Sequence, residues 1–255
     1  MNVAYKLVIL FWLLLAGCTP STLVEDYADD RVEKQAIEYI DLLIQNESAT
    51  LISLLGPDTV EGNEEDVFAE MHALFPIEEP QVINLVGYRF WKHNKDPARY
   101  NLTYQYGYGD KWLIVNVAFQ ESETGKNEIF GFNVYPNEQS LQALNKFSLS
   151  NLNAIRAFFL AGSTVIPPFI LFTLLACIRT KLKKKKWLWI LFILIGIGRF
   201  SLNWTSGKFG ITLFSLQVMG AGAVTASIYA PWILSFSIPL GAILFWVKRD
   251  KIIST

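Results

Sequence analysis

Cysteine and histidine are nearly absent from this 255-residue chain, which holds two of each: Cys18 and Cys177, His72 and His93. Two cysteines cannot build a disulfide framework, and four scattered residues of these types cannot build a Cys/His metal cluster. No metal and no cofactor is expected. Acids are missing from the last part of the chain: residues 151–255 carry 12 Lys/Arg and one acid, Asp250, for a net of +11. Bases are thin before that, with 22 Asp/Glu against 9 Lys/Arg over residues 19–150, a net of −13. A cationic half often marks nucleic-acid binding. Here the cations stand at the ends of apolar runs, as in membrane proteins, and the acidic half repels phosphate backbones. Membrane lipid is the expected partner and nucleic acid is not.

What the chain has in plenty is apolar sequence, 52% of its residues. Residues 157–178 contain no charged side chain, and roughly 20 helical residues cross a bilayer core. This run is expected to span, kinked at Pro167-Pro168. Arg179, Lys181, Lys183, Lys184, Lys185 and Lys186 follow at once and mark the loop 179–186 as cytoplasmic. Residues 187–204 then read as a returning span, with Trp187, Trp189 and Trp204 at its interfaces. Arg199 falls near the outer end of that run, where its side chain can reach the headgroups. Lys248 and Arg249 place the tail 248–255 inside, which requires an odd number of crossings. Residues 228–247 are accordingly read as the third span, and 205–227 as a re-entrant or interfacial outer segment. The expectation is an all-α region of three spans, with four spans and an outer C-terminus as the alternative.

Residues 1–17 read as a signal peptide, with Lys6 ahead of the apolar core 7–15. The core ends in Leu15-Ala16-Gly17-Cys18, which resembles the lipobox of bacterial lipoproteins. The resemblance implies diacylglyceryl transfer to the Cys18 sulfur, cleavage before Cys18 and N-acylation in many bacteria, with palmitate-type chains and residues 18–25 as a lipidated tether. Two or more chains would anchor stably where one would not.

Residues 26–137 read as helices followed by strands. Val32, Ala36, Ile40, Leu43 and Ile44 recur at helical spacing over 26–46. Shorter helices are expected over 47–55, ending at Gly56-Pro57, and over 64–74. The period then drops to two. Tyr100, Leu102, Tyr104, Tyr106 and Tyr108 alternate with polar residues and glycine, Gly109-Asp110 turns the chain, and Leu113, Val115, Val117 and Phe119 alternate again. Phe130, Phe132 and Val134 follow in a last strand. Helices before an antiparallel meander imply an α+β domain, helices packed on a curved sheet. The long first helix, the Gly56-Pro57 stop and the strand closing on Gly131-Phe132-Asn133-Val134 resemble the nuclear transport factor two-like (cystatin-like) cone. Residues 138–156 would connect this domain to the membrane.

Tyr104 and Tyr106 are the candidate ligand-binding residues, because a row of phenols can line an apolar wall with hydroxyls for orientation. Core packing under the first helix competes with that reading. His93 sits in a turn composition, His72 on a helix beside Met71, and Glu61, Glu64, Glu65 and Asp66 lack calcium-loop spacing. No catalytic residue is assigned. The sequence is read as a lipoprotein of the bacterial cytoplasmic membrane, presenting an extracytoplasmic module for a small apolar ligand or another membrane or periplasmic protein. The alternatives are a hydrolase or isomerase in the cone pocket and an accessory subunit of a membrane complex.

Overall fold

The computed structural model describes residues 29–60, 62–94, 96–121, 127–182 and 186–252. The signal peptide, Cys18, the tether, and Lys183, Lys184 and Lys185 lie outside the described residues. The chain divides into two compact units between Leu144 and Asn145.

In the first unit, Asp29 caps helix α1 (Asp30–Ile44), its carboxylate accepting the Arg31 amide at 2.9 Å. Val32, Ala36, Tyr39, Ile40 and Leu43 form the buried stripe of that helix. Asn46, at φ 60°, turns the chain into helix α2 (Ser48–Ser53), which buries Leu51. A 3-10 turn at Pro57–Thr59 leads to helix α3 (Glu64–His72), which buries Phe68.

Strands β1 (Val82–Trp91), β2 (Arg99–Tyr108), β3 (Lys111–Gln120) and β4 (Glu128–Asn137) follow as an antiparallel meander in that order. Gly109, at φ +72°, makes the turn between β2 and β3. Tyr104 pairs with Val115 and Tyr106 with Leu113, and these residues join the α1 stripe in one core. A register shift beside Ala118 and Phe119 interrupts the alternation on β4. Ile129, Phe132 and Val134 are buried as a result, while Phe130 packs edge-on against Trp91. On the opposite face the buried Gln105 accepts the Leu141 amide at 2.6 Å and donates to Gln142 at 3.0 Å. That pair of bonds fixes the short helix α4 (Leu141–Leu144) on the sheet.

The second unit opens with Asn153, which caps helix α5 (Ala154–Arg179), a 26-residue helix continuous through Pro167-Pro168. It is the one helix among the described residues that is long and apolar enough to cross a membrane. The all-α region of three spans is therefore corrected, and with it the four-span alternative. Residues 187–204 divide into helix α6 (Lys186–Leu194) and strand β5 (Ile195–Asn203). The segment read as re-entrant holds β6 (Phe209–Val218) and β7 (Ala221–Val224). Residues 228–247 divide into β8 (Ile233–Ile238) and most of helix α7 (Leu240–Ile252).

The physical reason lies in residues that hydropathy does not weigh. Ile195-Gly196-Ile197-Gly198 puts two glycines where a helix would lose about 1 kcal/mol at each, and Gly198 stands at φ +72°. Ile233-Leu234-Ser235-Phe236-Ser237-Ile238 has the period of a strand, and Pro239 just before α7 favours a helix start over a continuous span. Leu202, Trp204, Leu234 and Phe236 pack with Phe159 of α5, and Ile170, Leu174 and Cys177 with Ile193, Ala242 and Phe245. The sheet order is β6-β5-β8-β7, and the edge strands β6 and β7 are joined through Met219-Gly220, both at positive φ. So short a link brings the two edges together at one end, and the sheet curls.

Candidate functional site

Tyr104 and Tyr106 lie in the core of the first unit, 1% and 2% exposed. Burial pushes both phenols well above their ordinary value, helped at Tyr104 by the field of Glu33 and at Tyr106 by that of Asp41. The Tyr104 hydroxyl is buried with no hydrogen-bond partner among the described residues, and Phe75 meets the Tyr106 ring edge-on. Farther along β2, Tyr100 donates to Glu121 at 3.0 Å, and burial, reinforced by that carboxylate, pushes it up to about 12. Both histidines are accounted for locally. His72 Nδ1 is 3.0 Å from the Leu43 carbonyl, and His93 lies against Asn94 on an exposed loop. No three His, Cys, Asp or Glu side chains among the described residues converge into a metal site.

A cavity of about 150 Å³ opens elsewhere in this unit, among the chain just after α2, the 3-10 turn, α3 and β4. Leu55, Val67, Phe68 and Phe132 form its apolar wall, and Asn63 and Glu64 its polar edge. Phe68 and Phe132 meet edge-on at 6.1 Å. Its volume equals that of an apolar cavity that admits one benzene, and falls short of the roughly 300 Å³ at which drug-sized pockets begin. Tyr104 and Tyr106 do not line it. Reading the sequence missed this cavity because its walls come from four separate elements, each of which shows only an ordinary buried aromatic or aliphatic residue.

Most of the described cations of the second unit sit at helix ends. Lys186, at the start of α6, donates to the Ile178 carbonyl at 2.6 Å and so satisfies one orphan acceptor at the end of α5. Arg179 stands in the last turn of α5, Lys181 just beyond it, and Lys248 and Arg249 in the later turns of α7, where cations complement the helix dipole. The Arg249 guanidinium lies 5.1 Å from the centre of the Trp246 ring. Arg199 is on β5 inside the curl of the second sheet, rather than at the outer end of a spanning helix. Comparison with protein-family models, with curated proteins and with solved structures finds no match for this chain.

Proposed function

We propose that this chain is a membrane-anchored bacterial lipoprotein, acylated at Cys18, that holds an acidic protein-interaction module outside the cytoplasm. The observation that carries the membrane reading is the outward face of α5. Phe158, Val165 and Phe172 recur every seven residues along it and are 62%, 62% and 61% exposed. Exposed Ala161 and Pro168 continue the stripe, and only 22% of the helix's most apolar stretch is buried. Withdrawing such side chains from water is worth about 1.5–3 kcal/mol each. At about 1.5 Å per residue the helix is long enough for the ~30 Å hydrocarbon core. The open edge of β6 carries backbone groups that hydrocarbon cannot satisfy, so it belongs with water, headgroups or a pairing strand. The cation cluster that begins at Arg179 supports a cytoplasmic end for α5, which leaves the acidic unit outside.

A benzene-sized cavity suits one inserted aromatic or aliphatic side chain, which favours a protein partner over a small-molecule substrate. The hydrolase or isomerase alternative would need an acid–base group bonded into the Tyr104–Tyr106 row, and the unpartnered Tyr104 hydroxyl offers it no support.

The test uses full-length Cys18→Ser protein, so that a lipid anchor cannot mask the helix. It should stay in the membrane pellet through alkaline carbonate extraction, while wild type alone takes up a fatty-acid analogue. Recovery of the variant in the carbonate supernatant would remove the membrane role of α5, and label persisting in the variant would remove the lipobox.

A further inference from the structure

We infer that the concave side of the second sheet is a binding site for a phosphate monoester carried on an apolar chain, with Arg199 and Gln217 as the residues that recognise it. The curl of the sheet encloses a cavity of about 230 Å³, lined by Arg199 of β5, Ser215, Leu216 and Gln217 of β6, Gly222 to Val224 of β7, and Ser235 of β8. Arg199 makes no hydrogen bond or ion pair among the described residues, and its Nε is buried. A buried Nε–H with no partner is costly, and a ligand oxygen in the cavity would satisfy it. Its planar fork fits an oxyanion.

Gln217 narrows the class. Its Nε2 donates to Ser235 Oγ at 3.0 Å, and the Ser235 hydroxyl lies 3.3 Å from the Gly222 carbonyl, to which it donates. The amide orientation is fixed by this chain of bonds. Oε1 is left buried, an acceptor without a partner among the described residues. The occupant must therefore present charged oxygens to Arg199 and an O–H to Gln217. A singly protonated phosphate monoester does both, whereas a sulfate ester or an ionised carboxylate only accepts. The rim is apolar, with Leu216 72% and Val224 49% exposed, so it favours an ester with a hydrocarbon tail over free phosphate. That lipid form rests on the membrane reading above; the recognition of phosphate does not.

Full-length protein purified in a non-ionic detergent is titrated with inorganic phosphate and with sulfate, following heat of binding. The same protein in phosphatidylcholine nanodiscs is compared with and without phosphatidate, and the lipid that it retains is weighed by native mass spectrometry. Phosphate should bind at least about tenfold more tightly than sulfate, the cost of leaving one buried acceptor unpaired. Phosphatidate should be retained. Gln217→Glu, which can pair internally with Arg199 and stay folded, should lose both ligands, and Arg199→Lys should weaken both. Retention of phosphatidate without measurable binding of phosphate supports the site with a lipid as its source. Binding of phosphate without retention of phosphatidate supports the site and overturns the lipid form. Equal binding of sulfate and phosphate, unchanged binding by a folded Gln217→Glu, or no binding in either arm overturns the proposal. If the carbonate test fails while phosphate still binds, the membrane reading is lost and this site stands.

Discussion

Tyr104 has its ring in the core and its hydroxyl unpaired. Tyr104→Phe keeps the ring and removes a polar atom whose burial costs free energy, so the variant should be neutral or up to about 1 kcal/mol more stable. Urea denaturation of the full chain decides this; a clear loss of stability would show that the hydroxyl has a partner. Arg156 is the opposite case, a guanidinium with each of its three nitrogens bonded. It donates to the carbonyls of Trp204 at 3.1 Å, Asn151 at 2.8 Å and Thr205 at 3.0 Å, and so ties the start of α5 to the chain leaving β5. Arg156→Ala should cost about 2–3 kcal/mol in the second unit, and Arg156→Lys should restore only part, because an ammonium lacks the fork. Gly241 admits no side chain at all, since a Cβ there would lie 2.0 Å from the Phe192 carbonyl oxygen. Gly241→Ala should prevent α6 and α7 from packing, read as loss of the cooperative tryptophan-fluorescence transition in detergent.

At the scale of elements, the first unit was legible wherever one face met one environment. The alternation of Tyr100 to Tyr108 and the stripe of Val32, Ala36, Ile40 and Leu43 both carry through to buried faces. Phe130 lies off the buried face of its strand because of a one-residue register shift, which a strand taken alone does not reveal. The second unit departs from three spans because glycine and a strand-period alternation outweigh apolar content there. Residues 187–247 are apolar enough to span, yet Gly196, Gly198 and the Ser-Phe-Ser alternation select strands. The cavity beside Phe68 and Phe132 had no signal in the sequence, whereas Arg199 did, as a lone charge in an apolar run. The tyrosine row also sets a pH dependence. The phenols of Tyr100, Tyr104, Tyr106 and Tyr108, and those of Tyr39 on α1 and Tyr88 on β1 packed with them, are all pushed above 10.0, with burial as the first cause. Unfolded phenols ionise near pH 10 while the folded ones hold their protons, so the stability from this row is complete below about pH 10. It is lost as pH climbs through the raised folded values, of which Tyr100, at about 12, is one. Unfolding of the first unit should therefore coincide with the rise of tyrosinate absorbance, and a gradual titration of the buried phenols without unfolding would contradict it.

At the scale of the whole molecule, the two units ask for different solvents. The first closes 21 buried residues from α1 to β4 into one core without using any residue beyond Val134. The second leaves Phe158, Val165, Phe172, Leu213, Phe214 and Val218 more than half exposed, an apolar surface that water does not tolerate on a monomer. A fragment covering residues 26–144 should therefore express as an acidic, detergent-independent monomer with a single urea transition. The transition's steepness should suit the area buried by about 120 residues. The chain from residue 145 onward should need detergent or bilayer to remain dispersed. Replacing Phe158, Val165 and Phe172 together by Gln removes the exposed stripe of α5 and keeps the buried Phe159, Ile170 and Leu174, at the cost of the Phe158 ring contacts with Phe159 and Phe236 and the stacking of Phe172 on Trp246. In the Cys18→Ser background that triple variant should shift from the carbonate-resistant pellet to the supernatant, while the first unit's urea transition stays where it was. Retention in the pellet would mean that β6, with Phe214 fully exposed, holds the membrane instead of α5.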